Sequence, residues 1–284
     1  MQADARFIGL DMEFWANVRA VSQASGYTAR GTGEVKVHTP NDMRAAMGKL
    51  GLGAGHLVDA AGRPTSLGRR VAEYSAYRAD VLNRFVRPRL MDVQQAKSLY
   101  MQLQRRHRPR CPLPLNKQKG EKRSRAYFTC IVNMLIEAGI AGMPCDYDPR
   151  ALVVFTRGES PLCMLSRRMD GCFPGTVNPV AVWEIKEYYH TTTFGSRVAD
   201  GVYETILDGL ELAQLRLRHG VGVGHFLFLD ARYTWWECGR SYLCRMIDLL
   251  HMGCVDEILF GSEVIDRLPR LVRQWVSAVR ARHA

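Results

Sequence analysis

Apolar residues recur at helical spacing from Met12 to Ala24, which predicts an amphipathic helix. Thr39-Pro40-Asn41-Asp42 supplies a capping hydroxyl, a proline for the first turn and an acid, a combination that starts helices. That helix runs through Met43, Met47 and Leu50 and stops at Gly51-Leu52-Gly53-Ala54-Gly55. A second start stands at Pro64-Thr65-Ser66. Leu67, Val71, Tyr74, Tyr77, Val81 and Leu82 then form a stripe, with Arg69, Arg70, Arg78 and Arg84 between them, and Pro88 is expected to end it. Residues 1–104 thus read as a helical unit. Its short helices and arginines suit a winged-helix-like DNA-positioning domain, and equally a plain helical bundle packed on the rest of the chain.

From residue 126 the pattern changes. A helix is predicted over 124–138, closed by Gly139. Short apolar runs at Ala151–Phe155, Pro161–Met169, Val180–Lys186, His225–Asp230 and Val255–Phe260 read as strands. Helices are predicted at Val198–Leu217, Ser241–His251 and Val264–Arg280. Helices alternating with buried strands imply an α/β fold, a mixed sheet flanked by helices over 126–284.

Charge divides the chain in the same place. Residues 1–125 hold 23 Lys/Arg against 10 Asp/Glu, whereas residues 126–284 hold 16 against 18. The whole basic excess of the +11 chain therefore lies in its first part, which points to a polyanion such as double-stranded DNA. Between the two parts, residues 105–125 carry nine basic residues, one acid and three prolines. This is a linker pattern that would track phosphates or serve as a solvated hinge. With 47% hydrophobic residues the chain can bury a core, and no apolar run approaches the length of a membrane span. No hydrophobic signal core opens the sequence. The eight cysteines lack CxxC spacing and several sit in apolar stretches, so they read as buried thiols of a cytoplasmic protein.

Two acids and an amine stand out. Asp170 is expected at the end of the strand Pro161–Met169, beside Gly171. Along the next strand Val180, Val182, Glu184 and Lys186 share one face, so Glu184 and Lys186 emerge side by side near its tip. If the two strands pair, Asp170 meets Glu184. Such a hard-oxygen pair suits Mg²⁺, and a neighbouring ammonium can orient or help deprotonate water and stabilise charge on a phosphodiester under attack. The ExK spacing alone is weak, because Glu34-Val35-Lys36 repeats it. That copy follows Gly31-Thr32-Gly33 and reads as a surface hairpin.

The order helix, strand, strand with Asp170, strand with Glu184-Ile185-Lys186, helix, strand resembles the PD-(D/E)xK nuclease superfamily over residues 124–230. It looks most like type II restriction endonucleases and related phage-defence nucleases. The resemblance implies a restriction-endonuclease-like core in which Asp170 and Glu184 hold Mg²⁺, with Mn²⁺ able to substitute, and Lys186 is the catalytic lysine. Met169 stands where the motif has proline. Glu137 matches an acid that some members place near the metal. The implied function is Mg²⁺-dependent DNA cleavage by a homodimer, with a cognate methyltransferase as a further partner. Glu184→Ala and Lys186→Ala are expected to abolish cleavage while leaving the fold intact. A non-catalytic nucleic-acid-binding protein on a degenerate nuclease scaffold is the alternative.

Other features are weaker. Tyr188 and His190 suit phosphate contacts or a plain loop, and Ser196, after Phe194-Gly195, is a candidate helix cap. Asp200, Glu204, Asp208 and Glu211 form an acidic stripe read as solvated or dimer-facing. Trp235-Trp236 reads as core or interface, and Gly220–Gly224 lacks the features of a phosphate loop.

Overall fold

A computed structural model describes residues 1–116, 123–190 and 195–282. The basic stretch Lys117 to Lys122 and Phe194 lie outside the described residues. The first three helices start where the sequence places their caps. In α1 (Met12–Ser25) the Asp11 carboxylate accepts the Phe14 N–H. At α2 (Pro40–Lys49) the side chains of Thr39 and Asp42 bond each other's backbone N–H groups. At α3 (Ser66–Asp80) the Thr65 hydroxyl accepts the Gly68 N–H. Together they bury Phe14, Trp15, Met43, Met47, Val71 and Tyr74. Pro88 does not end α3. The chain continues through a wide helical turn, Val81–Val86, into the short α4 (Arg87–Arg89), where Pro88 sits in the first turn and needs no N–H partner. The Glu34–Lys36 hairpin is minimal, a single antiparallel bridge between Thr28 and Val35.

Next comes α5 (Val93–His107), whose Ala96, Tyr100 and Leu103 pack in one core with α6 (Tyr127–Gly139) and α9 (Val264–Arg282). The last part of the stretch 1–104 thus packs with the sheet-bearing half of the molecule. The sheet is four-stranded, in the order β3 (Gly171–Phe173), β4 (Ala181–Glu187), β5 (Gly224–Asp230), β6 (Glu257–Phe260). β3 runs antiparallel to β4, and β4, β5 and β6 are mutually parallel. The parallel connections are made by α7 (Ser196–His219) and α8 (Arg240–His251). Alternation along the strands sets the layers. Trp183, Phe226, Phe228 and Leu259 face α6 and α9, with Trp183 stacked on Trp275 at 5.5 Å. Leu227, Leu229, Ile258 and Phe260 pack with α8 and the start of α7.

One strand assignment is corrected. Pro161–Met169 is not a single strand beside β4. β2 (Ser160–Met164) forms a separate hairpin with β1 (Val154–Arg157), and Asp170 precedes a three-residue strand, β3, absent from the sequence reading. Leu165 and Met169 are buried against Leu212 and Leu215 of α7, so the apolar alternation beyond Met164 comes from a loop that packs as core. Ser196 is likewise not the cap of α7. Gly195 holds that position, without a side-chain bond.

A buried ion pair joins the N-terminal helices to α8. Arg78, fully buried, donates from Nη1 to both oxygens of Asp248 at 2.9 and 3.0 Å. Tyr74 Oη donates to the same carboxylate at 2.7 Å. All eight cysteines are free, and no helix among the described residues is long and apolar enough to cross a membrane.

Candidate active site

β3 and β4 bring the two sequence-predicted acids together. Gly171 lies opposite Trp183, so Asp170 falls opposite Glu184. The Asp170 N–H donates to Glu184 Oε1 at 3.0 Å, and Asp170 Oδ2 accepts the Ile185 N–H at 2.8 Å. β3 is short, so the tip of β4 stays open along this edge, and Asp170 lies at that opening and lines the cleft beside it. Asp170 Oδ1 has no hydrogen-bond partner among the described residues.

Glu184 and Lys186 point to the α7 side and are buried. Lys186 Nζ donates to Glu184 Oε2 at 2.8 Å and to Glu204 of α7. Arg167, in the loop before β3, donates from Nη2 to Glu184 Oε2 and from Nη1 to Asp208 Oδ2, each at 2.9 Å. Glu204 and Asp208 are one turn apart on α7, the spacing that places two side chains on one helix face. They are therefore part of the cluster, which corrects the reading of the acidic stripe as solvated. Glu211 bonds the Ser166 N–H and hydroxyl, steadying the loop that carries Arg167.

Four carboxylates thus surround two cations, an excess of two negative charges when all are ionised. The electrostatics follow. Burial raises Glu184, but Lys186 and Arg167 outweigh it and hold the carboxyl below its ordinary value. Burial opposes the charge on Lys186, yet Glu184 and Asp170 keep it above the ordinary lysine range. It is therefore held as an ammonium. Burial, reinforced by the Glu184 charge, pushes Asp170 up to about 6. Burial raises Asp208 to about 7 against the pull of Arg167.

A cleft of about 290 Å³ opens beside Asp170. Its walls include Pro112, Pro114, Leu115, Ile185, Tyr188 and Arg197. Glu187 also lines it. Its carboxylate accepts the N–H and hydroxyl of Thr129, capping α6 from the neighbouring strand because Ala126 at the cap position cannot. Burial raises Glu187 to about 7.

Glu137 is not brought to this cluster. It stands near the other end of α6 and accepts the Arg110 N–H at 3.0–3.1 Å. Tyr188 borders the cleft, whereas Trp235 and Trp236 are buried in the core. Arg167, Glu204, Asp208 and Glu187 were not singled out as site residues. The i, i+4 pair on α7 and the arginine three positions before Asp170 are the signals that could have found the first three.

Among the described residues, no three His, Cys, Asp or Glu side chains are gathered into a metal cage. The donor set instead fits a hard, water-rich cation: Asp170 offers a free oxygen at an open edge, and the carboxyl groups of the cluster outnumber its cations by two. Glu184 would join such an ion by exchanging one of its two cations, and Glu204 and Asp208 already stand ready as their alternative partners.

A family model described as a domain of unknown function (DUF7687) matches residues 91–275, and a second one (DUF7690) matches residues 1–85. No curated protein and no solved structure matches the chain.

Proposed function

The chain belongs to the DUF7687 family of domains of unknown function, and from the geometry of its site we propose that it is a divalent-metal-dependent DNA endonuclease of restriction or phage-defence type. The observation that carries the reading is the junction of Asp170, Glu184 and Lys186 at the open end of β4, where four carboxyl groups meet two cations. Asp170 and Glu184 would hold Mg²⁺, which supplies an activated water and a Lewis acid for the scissile phosphate. Lys186, fixed as an ammonium, stabilises negative charge growing on that phosphate. Arg167 and Glu204 orient Lys186 and Glu184. The cleft beside Asp170 would take the scissile phosphate, and the exposed Arg105, Arg106, Arg108, Arg110, Arg123 and Arg125, which neighbour its 112–116 wall in the sequence, would hold the phosphate backbone.

The test is plasmid and linear-duplex digestion with Mg²⁺, with Mn²⁺ and with EDTA, using the wild type, Glu184→Gln and Lys186→Ala. Cleavage that needs the metal and is lost in both variants is the expected result. Cutting that persists undiminished in both variants removes the assignment. The closed ion network around Glu184 favours one other reading, a nucleic-acid-binding protein on an inactive scaffold. It predicts duplex binding without metal-dependent cutting in the same assay.

A further inference from the structure

A second cavity, of about 390 Å³, opens between α1, α7 and α8 and shares no lining residue with the Asp170 cleft. Its size is that of a small-ligand pocket. Arg19 and Gln23 of α1 line it, with Tyr27 from the segment that follows, and α7 and α8 supply the rest of the wall. The cavity therefore exists only where the stretches matched by the two family models meet. Val202 and Leu249, both buried, and the half-buried Ile206 make part of its wall apolar. Tyr203 adds an exposed aromatic ring.

The charges of this wall select an anion. It carries two guanidinium groups, Arg19 and Arg245, and one carboxylate, Asp248. Asp248 is already engaged by Arg78, which donates to both its oxygens, and by Tyr74 Oη. Neither Arg19 nor Arg245 has an ion-pair partner among the described residues. Arg19 Nη2 meets the Met252 sulfur at 3.1 Å, a weak acceptor. The Arg245 guanidinium rests against two rings, 5.4 Å from the centroid of Tyr27 and 5.3 Å from that of Tyr242. The nearby acids of α7 do not compensate these charges: Glu204 is turned to Lys186 and Arg167, and Asp200 does not line the cavity. Two uncompensated guanidinium groups match a phosphomonoester, which carries about two negative charges and three acceptor oxygens. The apolar wall and the Tyr203 ring match a flat body attached to it, and the Gln23 amide can bond the edge of a heterocycle.

We propose that this cavity binds a nucleoside monophosphate, with Arg19 and Arg245 on the phosphate and the base against Tyr203, Val202 and Ile206. Inorganic phosphate would leave the apolar wall uncovered, and a neutral nucleoside would leave the two cations uncompensated, so both parts of the ligand are needed. The inference is independent of the nuclease reading, because it uses none of the residues assigned to the chemistry. A ligand held by α1 on one side and by α7 and α8 on the other also ties the two stretches of the chain together.

Isothermal titration of the full chain in EDTA with the 5′-monophosphates of adenosine, guanosine, cytidine and uridine tests it. Saturable binding of at least one of the four is expected, with one ligand per chain. The corresponding nucleoside and inorganic phosphate are expected to bind at least about tenfold more weakly. Arg19→Ala and Arg245→Gln are each expected to weaken the nucleotide about tenfold or more. Arg19 is solvent-exposed, so its variant with unchanged circular dichroism separates loss of binding from loss of fold. Absence of saturable binding by all four nucleotides overturns the proposal. So does binding that both arginine variants leave unchanged, or binding of inorganic phosphate or octyl phosphate as tight as that of the best nucleotide.

Discussion

Glu184 bridges two cations. Arg167 and Lys186 both donate to its Oε2, so Glu184→Ala leaves the pair with only Glu204 and Asp208 to neutralise them. The expected cost is about 1–3 kcal/mol, read as a lower urea midpoint, and Glu184→Gln should recover part of it. Lys186→Ala is milder, because Arg167 still reaches Glu184, Glu204 and Asp208. Asp230 gives a pH prediction at the same scale. Its carboxyl is buried at the tip of β5 and accepts the Met91 and Ala231 N–H groups. Burial pushes its pKa up to about 8, against about 4 in an unfolded chain. The native protein thus keeps a proton that the unfolded chain has released. The resulting stabilisation is complete below about pH 4 and is lost as pH rises through about 8. Denaturation of the wild type and Asp230→Asn across this range should show the wild type losing stability relative to the variant until about pH 8, with no further change above it.

Gly209 shows how closely the elements fit. A Cβ built there would lie 2.3 Å from the Cys254 carbonyl oxygen, at the turn before β6. Gly209→Ala gains about 1 kcal/mol of helix propensity, yet the clash is with backbone. A net destabilisation of about 1–3 kcal/mol is expected by thermal or urea denaturation. Close approaches of this kind are invisible in sequence, whereas periodicity and caps are not. Residues such as Thr39, Asp42, Thr65 and Val182 therefore announced their helices and strand, because local spacing and hydrogen bonding decide them. β3 did not show itself, because three residues carry no period. Pro161–Met169 misled, because Leu165 and Met169 are buried in a loop. The acids of β4 were legible from alternation. Their partners on α7 were not, since only the tertiary packing of the helix says which of its faces meets Lys186.

The whole molecule sorts its basic residues into two groups. Two N-terminal arginines are engaged with the fold: Arg78 on Asp248, and Arg89 over Phe85 at 3.7 Å. Their charge belongs to the fold. The exposed group at 105–110 and 123–125 is available to a polyanion. Arg105→Ala/Arg106→Ala is expected to weaken duplex binding about equally for all sequences. It should also reduce the slope of log affinity against log salt by about one per lost phosphate contact. Fluorescence anisotropy at several salt concentrations reads both, and an unchanged slope would place the phosphate contacts elsewhere.

The Arg78–Asp248 bond crosses between the stretches matched by the two family models, and it is sealed from water. Its consequence concerns inheritance. A front half borrowed from another protein would have to deliver a guanidinium to the same spot, or leave the α8 carboxylate orphaned inside the core. Recombination between relatives is thereby restricted to donors that share this one cation, and the two halves are bound to evolve as a couple.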